Sequence, residues 1–585
     1  MHSRMRPDEI VRKILEARGI TQEDAAREFL SKKPRLAHDP LLLPETEAGA
    51  DFMVRALSEG KRVCVYGDYD VDGVCGTALL VSFLRAASRV LDPDTDPEVT
   101  YYIPSRMGEG YGLNNDAIRE IKAAGADVIV TVDCGSVSAP EAAFAREIGL
   151  DIIITDHHDP DPGNLPDCIH VNPKAGPEEG AYPFDRLCGA GVAFKLCGAI
   201  QARVGDDSLR ALLRGCVDLV CVATIADVMP LVDENRTFVK YGLPMLRRGA
   251  RPGFRALVEV SGAEPAKLGA RDVAFAIAPR LNALGRLEDA ADGVELFLTE
   301  DEGRVWEIAE RMDARNSERR HIQEGCFADC MALYEAGAGD EAGAGAGAEI
   351  MLGDGDGSGR GRDRGVAFLL LRPEASHEGV AGIVAGKVRE ATGLPCAVLS
   401  ETREGKGLLK GSARSAGRLD LIALLRRHGG LFEQLGGHAA AAGFIIREEN
   451  EGPLREALSL DLAGMLEEEP GLLEERRAAE LEIEISDVTP GLAEALEELA
   501  PFGVGNPKPM LSLRVPAEGI GGFRRMGQDG KHLRFMAEGL TCVFFNGADT
   551  AFPETGMVQI VGCPEINEWG GQRNIQLAVR YIDMI

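Results

Sequence analysis

The sequence predicts a multidomain α/β protein with a parallel-sheet domain, a long connecting helix, a second α/β domain and a small C-terminal β-barrel. Short β-branched runs alternate with amphipathic helical stretches between residues 51 and 225, as in βαβ units around a buried parallel sheet. Residues 303–335 are charged and helix-forming. Residues 471–585 carry short strands broken by Gly, Pro and Asn, which favours a small barrel.

The chain is too long for one hydrophobic core, since 585 residues suggest three or four domains. A Gly/Ala/Asp-rich tract before the second α/β domain cannot bury a core and is expected to be an insertion. The expected segments are an N-terminal helical segment (1–50), the parallel-sheet domain (51–302), the connecting helix (303–335), the low-complexity insertion (336–365), the second α/β domain (366–470) and the barrel (471–585).

Hydrophobic runs predict the individual elements in order. The predicted strands of the first domain are 62–66, 98–103, 127–132 and 150–155, and its predicted helices are 75–87, 115–124 and 140–148. The second domain is predicted to open with a strand at 366–371 and a helix at 380–391. Parallel sheets bind ligands beyond the carboxyl ends of their strands, so the turns after these strands are the first places to look for chemistry.

Composition is that of an ordinary globular protein, with 45% hydrophobic and 27% charged residues. No apolar run reaches the length of a membrane span, and the N-terminus has no apolar stretch after its basic residues, so we expect a cytoplasmic protein without a membrane contact. The 13 cysteines include no C-x-x-C pair, which argues against a zinc ribbon or a disulfide framework. A net charge of −30 counts against nonspecific adhesion to nucleic acid, but a local basic groove remains compatible with it.

Three carboxylates alternate directly after the first predicted strand, at Asp68, Asp70 and Asp72. Such crowding is unfavourable unless a cation neutralises it, and carboxylate oxygens suit Mg²⁺ or Mn²⁺. The pattern also begins an EF-hand loop, but Leu79 stands where that loop needs a bidentate Glu, which excludes it. A solvated acidic turn without a metal is the alternative interpretation.

Further acidic and imidazole groups follow the next strands, so several strand ends present candidate ligands at one sheet edge. They are Asp133 after the third predicted strand, and Asp156, His157 and His158 after the fourth. Hydrolytic two-metal sites use such mixed ligands, whereas a lone Asp at a strand end is usually a cap. Asp218 or Asp227, in an otherwise apolar segment, could supply one more carboxylate.

The D-H-H triplet at 156–158 and the upstream D-Y-D-V-D-G resemble the DHH phosphoesterase superfamily, and the fuller set of motifs resembles the RecJ exonucleases. The resemblance implies two divalent ions, Mn²⁺ or Mg²⁺, with Asp133 bridging them and His158 contacting the scissile phosphate. Spacing from the triplet favours Asp218 over Asp227 as the last ligand. The implied catalytic residues are Asp68, Asp70, Asp72, Asp133, Asp156, His157, His158 and Asp218, and the implied metal ligands are Asp70, Asp72, Asp133, His157 and Asp218 or Asp227.

Downstream motifs also resemble this family. P-R-L-N-A-L-G-R at 279–286 suits phosphate contact, although a helix end with surface arginines explains it equally well. The stretches around residues 377, 412 and 437 resemble the accessory DHHA1 domain, in which glycines let backbone amides approach a phosphate. The implied substrate-binding residues are Arg280, Asn282, Arg286, His377, Ser412, Arg414, Gly436, Gly437 and His438.

P-F-G-V-G-N-P at 501–507 resembles the entry to the family's OB-like domain, which binds single strands by stacking bases on aromatic side chains beside basic ones. The phenylalanines could equally belong to the core. The candidates are Phe523, Arg524, Arg525, Lys531, His532, Phe544, Trp569 and Arg573.

The resemblance implies a monomeric single-stranded-DNA exonuclease of DNA repair and recombination, working 5′ to 3′ and releasing 5′-mononucleotides. A single-strand-binding protein and a helicase are the implied partners. One alternative is a DHH phosphodiesterase for oligoribonucleotides or cyclic dinucleotides, which would lack the C-terminal barrel. The other is a non-catalytic DNA-binding scaffold, which would have lost metal ligands. Residues 471–585 and the full range of ligand types favour the exonuclease.

Overall fold

The computed structural model describes residues 5–94, 98–105, 109–176, 182–287, 290–337, 368–402, 405, 407–474, 478–527, 529–569 and 571–585. The chain forms two compact units, one of Met1–Asp313 with Ala478–Ile585 and one of Ala314–Arg477. The C-terminal domain therefore belongs to the same unit as the first sheet. Most of the insertion predicted at 336–365 lies outside the described residues.

The first sheet is entirely parallel. Its strands are β1 (Val63–Gly67), β2 (Val99–Tyr102), β3 (Val128–Val132), β4 (Asp151–Thr155) and β5 (Ile169–Val171). Their order is β2-β1-β3-β4-β5, so the direction of winding reverses between β1 and β3. Open α/β sheets bind ligands at such a switch point. The four predicted strands are confirmed, whereas β5 was not predicted because its three residues are too short to show a pattern.

The first unit also contains the helices α1 to α14 and the start of α15, which continues into the second unit. They are α1 (Pro7–Ala17), α2 (Glu23–Leu30), α3 (Thr46–Ser58), α4 (Val71–Leu91), α5 (Asn115–Ala123), α6 (Ala139–Glu147), α7 (Gly189–Val204), α8 (Asp207–Gly215), α9 (Val217–Ala226), α10 (Asp233–Arg247), α11 (Pro252–Ser261), α12 (Ala270–Asp272), α13 (Ala278–Leu287), α14 (Ala291–Leu298) and α15 (Glu302–Gly337). A π-helical turn, Val273–Ile277, joins α12 to α13. The predicted connecting helix is thus confirmed as α15.

Helix α4 is the centre of the first domain, packed against α7, α9 and α14. The helix has 21 residues, and its 18-residue apolar window has a mean hydropathy of 1.5, so among the described helices it alone is long and apolar enough to cross a membrane by length and composition. However, 67% of its apolar window is buried inside the protein, as in the core helix of a globular domain. The Asp70 carboxylate starts this helix by accepting hydrogen bonds from the amides of Asp72 and Gly73.

The second unit contains the end of α15 and a five-stranded mixed sheet of order β6-β7-β8-β10-β9. Its elements are β6 (Leu369–Leu371), α16 (Glu378–Thr392), β7 (Cys396–Glu401), β8 (Leu408–Arg414), α17 (Leu421–Arg426), β9 (Phe432–His438), β10 (Ala441–Arg447) and α18 (Glu451–Glu468). Leu409 and Ala413 of β8 are buried in the core that α17 and α18 also line, so the alternate residues of β8 lie on the opposite face.

The C-terminal domain is a seven-stranded, mainly antiparallel sheet of order β11-β12-β16-β17-β15-β14-β13. Its elements are β11 (Leu481–Glu482), α19 (Pro490–Glu497), β12 (Leu511–Pro516), β13 (Ile520–Met526), β14 (His532–Ala537), β15 (Leu540–Phe544), β16 (Met557–Trp569) and β17 (Gln572–Met584). The apolar face of α1, including Ile10 and Ile14, joins the core of this sheet. The sequence shows that α1 is amphipathic, but only the tertiary structure identifies its partner.

Ile14→Ala should lower the free energy of unfolding of the C-terminal domain by about 2–4 kcal/mol, because it leaves a cavity in a closely packed core. Urea denaturation of the full chain provides the measurement. Arg12→Ala on the same helix is the control, since the Arg12 side chain is 63% exposed and its ion pair with Glu16 lies at the surface. Equal effects of the two substitutions would show that α1 is not part of this core.

Candidate metal centre and substrate-binding surfaces

Three aspartates are the first residues beyond three neighbouring strands. The amide of Asp68 donates to the carbonyl of Val132 at 3.3 Å, and that of Asp133 donates to Thr155 at 3.1 Å. The amide of Asp156 likewise donates to the carbonyl of the adjacent strand β5. These bonds continue the parallel ladder by one residue and therefore hold the three side chains at one edge of the sheet, as the sequence predicts.

The His157 imidazole is the centre of this cluster. Its Nε2 lies 3.0 Å from Asp133 Oδ1, 3.7 Å from Asp72 Oδ2 and 3.6 Å from Asp227 Oδ2. Asp72, Asp133 and His157 are almost completely buried. The cluster thus combines carboxylates from three separate parts of the chain around one imidazole nitrogen.

Three overlapping sets of side chains have ligand atoms within 4.8 Å of one another. These sets are Asp72 with His157 and Asp227, Asp68 with Asp70 and Asp133, and Asp133 with Asp156, His157 and His158. Asp133 belongs to two of them, which is the arrangement expected of a carboxylate between neighbouring cations. Oxygen-rich sets with one imidazole suit Mg²⁺ and Mn²⁺.

The electrostatics of the cluster favour a cation. Burial, followed by repulsion from Asp70, raises the pKa of Asp72 to about 7. Burial and repulsion from Asp72 raise the pKa of Asp227 to about 9, and the same two causes raise the pKa of Asp133 well above its usual value. Simultaneous ionisation of these carboxylates is therefore energetically unfavourable at neutral pH.

Unsatisfied buried atoms point to the same conclusion. Asp133 Oδ1, His157 Nε2 and Asp227 Oδ2 are buried without a hydrogen-bond partner. Burial lowers the pKa of His157 to about 4, so its imidazole is neutral at pH 7 and its nitrogen can act as a ligand. Buried polar atoms are normally paired, so three orphaned ligand atoms at one place fit a divalent cation.

The backbone around the cluster is closely fitted. Asp133 has a left-handed φ of 64°, and a Cβ at Gly189 would lie 2.5 Å from the Asp133 Cβ. The absence of a side chain at Gly189 lets the start of α7 approach. The amides of Gly189 and Ala190 then donate to the Asp72 carboxylate at 2.6 and 2.8 Å. Sequence patterns gave no indication of this contribution, because it comes from a helix start remote in the chain.

Spacing favoured Asp218 over Asp227, but the structure places Asp227 in the cluster and Asp218 outside it. Asp218 lies in the first turn of α9 and Asp227 follows its last residue, which places them about 13 Å apart along the helix. Asp227 joins the cluster, whereas the Asp218 carboxylate accepts hydrogen bonds from Arg251 Nε at 3.0 Å and Nη2 at 3.1 Å. The buried Asp218 charge is thus compensated within the protein.

His158 stands at the rim of the cluster, with its side chain 46% exposed. Burial opposes its protonation, but the hydrogen bond with Asp156, at 2.8 Å, raises its pKa to about 9. Burial likewise opposes ionisation of Asp156, but His158 and backbone amides hold its pKa well below the usual value. Tyr111, which the sequence did not single out, places its hydroxyl 3.0 Å from His158 Nδ1 and 3.2 Å from the Asp133 carbonyl.

In the P-R-L-N-A-L-G-R motif, Arg280 is held inside the protein, contrary to the phosphate contact predicted for it. Arg280 is only 6% exposed, and its guanidinium donates to Asp313 at 2.8 Å and to the Ala276 carbonyl at 2.6 Å. A Cβ at Gly285 would lie 2.5 Å from the Tyr69 carbonyl, so α13 packs directly on the acidic turn. Asn282 is half-buried, and the Arg286 side chain lies outside the described part of the chain.

The accessory-domain residues lie mainly on one face of the second sheet. Ala441 of β10 lies opposite Arg414 of β8 on one side and His438 of β9 on the other. Gly443 of β10 likewise lies between Ser412 of β8 and Gly436 of β9. Residues two apart in a strand share a face, so these rows form one surface of small residues beside Arg414 and His438. Positions Gly436 and Gly443 open into free space, and the strand that carries Gly437 and His438 is exposed. His377 instead caps α16, where its Nδ1 accepts from Gly379.

A groove of about 370 Å³ lies on the C-terminal domain. Its lining includes Phe523, which is 51% exposed, and Arg524, together with Arg525, Leu533, Ala548, Thr550 and Phe552. Of the other residues predicted to contact DNA, Phe544 packs against the core, and Arg573 is paired with Glu494 and Glu568. The Trp569 side chain lies outside the described residues.

This sheet edge, with its cluster of carboxylates and imidazole, defines a metal-dependent phosphoesterase. Three family models match the chain: the N-terminal domain of the DHH family over residues 62–224, the DHHA1 domain over 365–462 and the RecJ OB domain over 479–581. The chain belongs to the RecJ family of single-stranded-DNA-specific exonucleases, as its curated relatives establish.

The RecJ of Bacillus subtilis is 33% identical over 98% of this chain and 67% of its own length. The RecJ of Dickeya dadantii is also 33% identical, over 98% of this chain and 96% of its own. The crystal structure of RecJ in complex with Mn²⁺ from Thermus thermophilus has a TM-score of 0.78 at 27% identity, covering 100% of this chain and 79% of that one. A Mg²⁺ complex of the same protein has a TM-score of 0.72.

In EDTA, we expect the carboxylates of Asp72 and Asp227 to lower the melting temperature as the pH rises from about 4 to about 9. The folded pKa values of Asp72, about 7, and Asp227, about 9, lie above those of the unfolded chain, so the folded state holds extra protons. Their stabilising effect is lost progressively between the unfolded value and the folded value, up to pH about 7 for Asp72 and about 9 for Asp227. Saturating Mn²⁺ should abolish this dependence, because the cation replaces the protons. Calorimetry across the pH range tests this, and equal slopes with and without Mn²⁺ would contradict it.

Proposed function

We propose that this chain is a metal-dependent exonuclease specific for single-stranded DNA, acting in DNA repair and recombination. It hydrolyses phosphodiesters from the 5′ end and releases 5′-mononucleotides. The observation that carries the proposal is the buried cluster of Asp72, Asp133, His157 and Asp227 at the switch point of a parallel sheet. The named activity of its RecJ relatives supports the substrate class.

We propose two divalent ions, Mn²⁺ or Mg²⁺, in this cluster. Asp72, His157 and Asp227 would hold one of them, Asp68 and Asp70 would hold the other, and Asp133 could contribute to either. The support is that Asp133 shares one ligand set with Asp68 and Asp70 and that its Oδ1 also lies 3.0 Å from His157 Nε2. Two RecJ structures that contain Mn²⁺ or Mg²⁺ support the choice of ion. When bound, such ions supply a nucleophilic water at neutral pH and neutralise charge on the phosphate.

His158 and Asp156, which lie beside the proposed metal ligands, bind and position the scissile phosphate. His158, half-exposed and hydrogen-bonded to Asp156 at 2.8 Å, donates a hydrogen bond to the scissile phosphate. The Asp156 carboxylate orients that imidazole through a 2.8 Å hydrogen bond. It also accepts hydrogen bonds from the backbone amides of Ser136 and His157. Asp156 is therefore a positioning residue, whereas His158 is a substrate contact.

The small-residue face of the second sheet binds the phosphates of the strand. Arg414 and His438 supply donors at two ends of a row whose middle residue, Ala441, is small. The absence of side chains at Gly436 and Gly443 lets a backbone phosphate approach the sheet. The groove at Phe523 and Arg524 provides a stacking surface and a cation for bases further along.

The alternatives fit the molecule less well. A phosphodiesterase for oligoribonucleotides or cyclic dinucleotides has no need of the C-terminal domain with its aromatic and basic groove. A non-catalytic scaffold has no need of an intact set of buried ligand atoms. We further propose that the enzyme acts as a cytoplasmic monomer, with a single-strand-binding protein and a helicase as partners, and that the segments predicted from sequence are its functional domains.

The enzyme should release the 5′ label of single-stranded DNA as a mononucleotide in Mn²⁺ or Mg²⁺, and release nothing in EDTA or from blunt duplex.

Asp133→Ala should lower kcat by at least about 1,000-fold, because it removes the shared ligand. The surface control is Asp116→Ala, whose side chain is 88% exposed. Cleavage of dinucleotides but not long strands would support the small-substrate enzyme, and inactivity on both would support the scaffold.

Arg414→Ala should raise KM for single-stranded DNA by about tenfold, because it removes a charge-assisted phosphate contact. Its kcat and the Mn²⁺ concentration for half-maximal activity should remain unchanged, since Arg414 lies outside the metal cluster. Steady-state kinetics on oligonucleotides of fixed length measure these effects. Arg447→Ala is a matched control on the same sheet, where Arg447 pairs with Glu433 at the surface. An unchanged KM for Arg414→Ala would exclude the contact.

A further inference from the structure

The P-F-G-V-G-N-P motif lies in a turn, residues 499–507, that packs against the segment following Asp227. We call this turn the OB turn. The amide of Leu231 donates to the Val504 carbonyl at 2.8 Å. A Cβ at Gly503 would lie 2.7 Å from Leu231 Cδ1 and 3.1 Å from its Cγ, so an added methyl group would displace the Leu231 side chain from this close contact. The motif therefore serves a contact within the protein.

Hydrogen bonds within the OB turn stabilise its conformation. The amide of the Asn506 side chain donates to the carbonyls of Leu499 and Pro501, both at 2.8 Å. Gly503 and Asn506 also exchange backbone hydrogen bonds of 2.9 and 3.1 Å. Asn506 is completely buried and its side-chain oxygen accepts from Arg18. These hydrogen bonds give the turn a defined conformation against which another segment can pack.

Arg236 of α10 connects this turn to the catalytic domain. Its Nη2 donates to the carbonyls of Leu499 and Ala500 at 3.0 and 2.8 Å, and its Nε donates to Phe29 at 3.0 Å. The guanidinium also stacks on the Phe29 ring, 3.7 Å from its centre, and only 3% of the residue is exposed. A planar cation with donors on both edges is suited to joining two segments in this way.

The segment between Asp227 and Asp233, which we call the Asp227 segment, is strained. Val228 has a φ of 59° and Asp233 a φ of 49°, both in the left-handed region. A β-branched residue rarely adopts this conformation, and Val228 is 64% exposed, so burial of its own side chain does not stabilise it. Such conformations persist only where the surrounding structure imposes them. The OB turn and Arg236 contact this segment and the helix that follows it.

We propose that the OB turn, with Arg236 as a positioning residue, holds the Asp227 segment in the strained conformation that brings the Asp227 carboxylate to the metal centre. The C-terminal domain would then complete the catalytic centre as well as bind DNA. Arg236 lies in α10, directly after the segment, and its amide donates to the Val232 carbonyl at 3.2 Å. Its guanidinium donates to carbonyls of the OB turn and of Phe29, so it acts by holding the OB turn against the start of α10. The inference rests on the proposed role of Asp227 as a metal ligand.

The test measures Mn²⁺ binding by electron paramagnetic resonance, with kcat and KM on single-stranded DNA, in the full-length protein. The variants are Arg236→Ala, Arg236→Lys, Gly503→Ala and Asp227→Asn, and the controls are Arg247→Ala and Gly215→Ala. Arg247 lies on the same helix but donates to the single carbonyl of Leu268, and a Cβ at Gly215 meets no atom within 4 Å.

We expect Arg236→Ala and Gly503→Ala each to weaken Mn²⁺ binding and lower kcat by about tenfold, with KM changed less than about twofold. Arg236→Lys should recover part of the loss, because it keeps the charge but has fewer donors. The controls should match the wild type. Gly503→Ala keeps all the charges, so it decides the question alone if Arg236→Ala does not fold.

The outcomes separate this inference from the proposed function. One outcome is that Asp227→Asn loses Mn²⁺ affinity, whereas Arg236→Ala and Gly503→Ala keep it and show only lower melting temperatures. The contact between the OB turn and the Asp227 segment would then stabilise the fold without affecting the metal centre, and the inference would be overturned. If Asp227→Asn itself keeps full Mn²⁺ affinity, the proposed ligand set is wrong, and the inference fails with it. Loss of affinity in all three variants supports both.

Discussion

The negative charge buried at the carboxyl edge of the first sheet is the constraint on which the catalytic domain depends. Burial and mutual repulsion hold the pKa values of Asp133 and Asp227 far above those of free carboxylates. The fold compensates part of this charge with backbone donors, from the start of α7 to Asp72 and from the turn after β3 to Asp156. Three ligand atoms remain without a partner, and these are the atoms that a divalent cation satisfies.

The same constraint accounts for features that are otherwise unusual. The left-handed backbone of Asp133 aims its carboxylate into the cluster, and Gly189 leaves the room for it. Helix α4 starts at the Asp70 cap and continues as the buried core of the domain, so the acidic turn is joined directly to the core helix. The candidate ligands are therefore carried by a regular, buried element, as precise ligand positions require.

The surfaces proposed for DNA contact differ from the metal cluster in exposure and lie in other parts of the structure. The second sheet offers an exposed face of glycine and alanine beside Arg414 and His438, and the C-terminal domain offers a groove with an exposed Phe523. These surfaces suit a flexible chain of phosphates and bases, which needs access more than burial. The high net negative charge of the whole protein, −30, is compatible with them because the cations needed for phosphate binding are local.

The sequence alone determined the parallel strands of the first sheet to within about two residues and the cluster residues that follow them, because hydrophobic period and strand-end chemistry are local properties. It could not choose between Asp218 and Asp227, since spacing along the chain does not tell which end of α9 faces the sheet. It could not show that Arg280 is buried, that Gly189 and Tyr111 border the site, or that Arg236 joins two domains. Those facts depend on contacts between residues distant in sequence, and only the packing of the complete tertiary structure decides them.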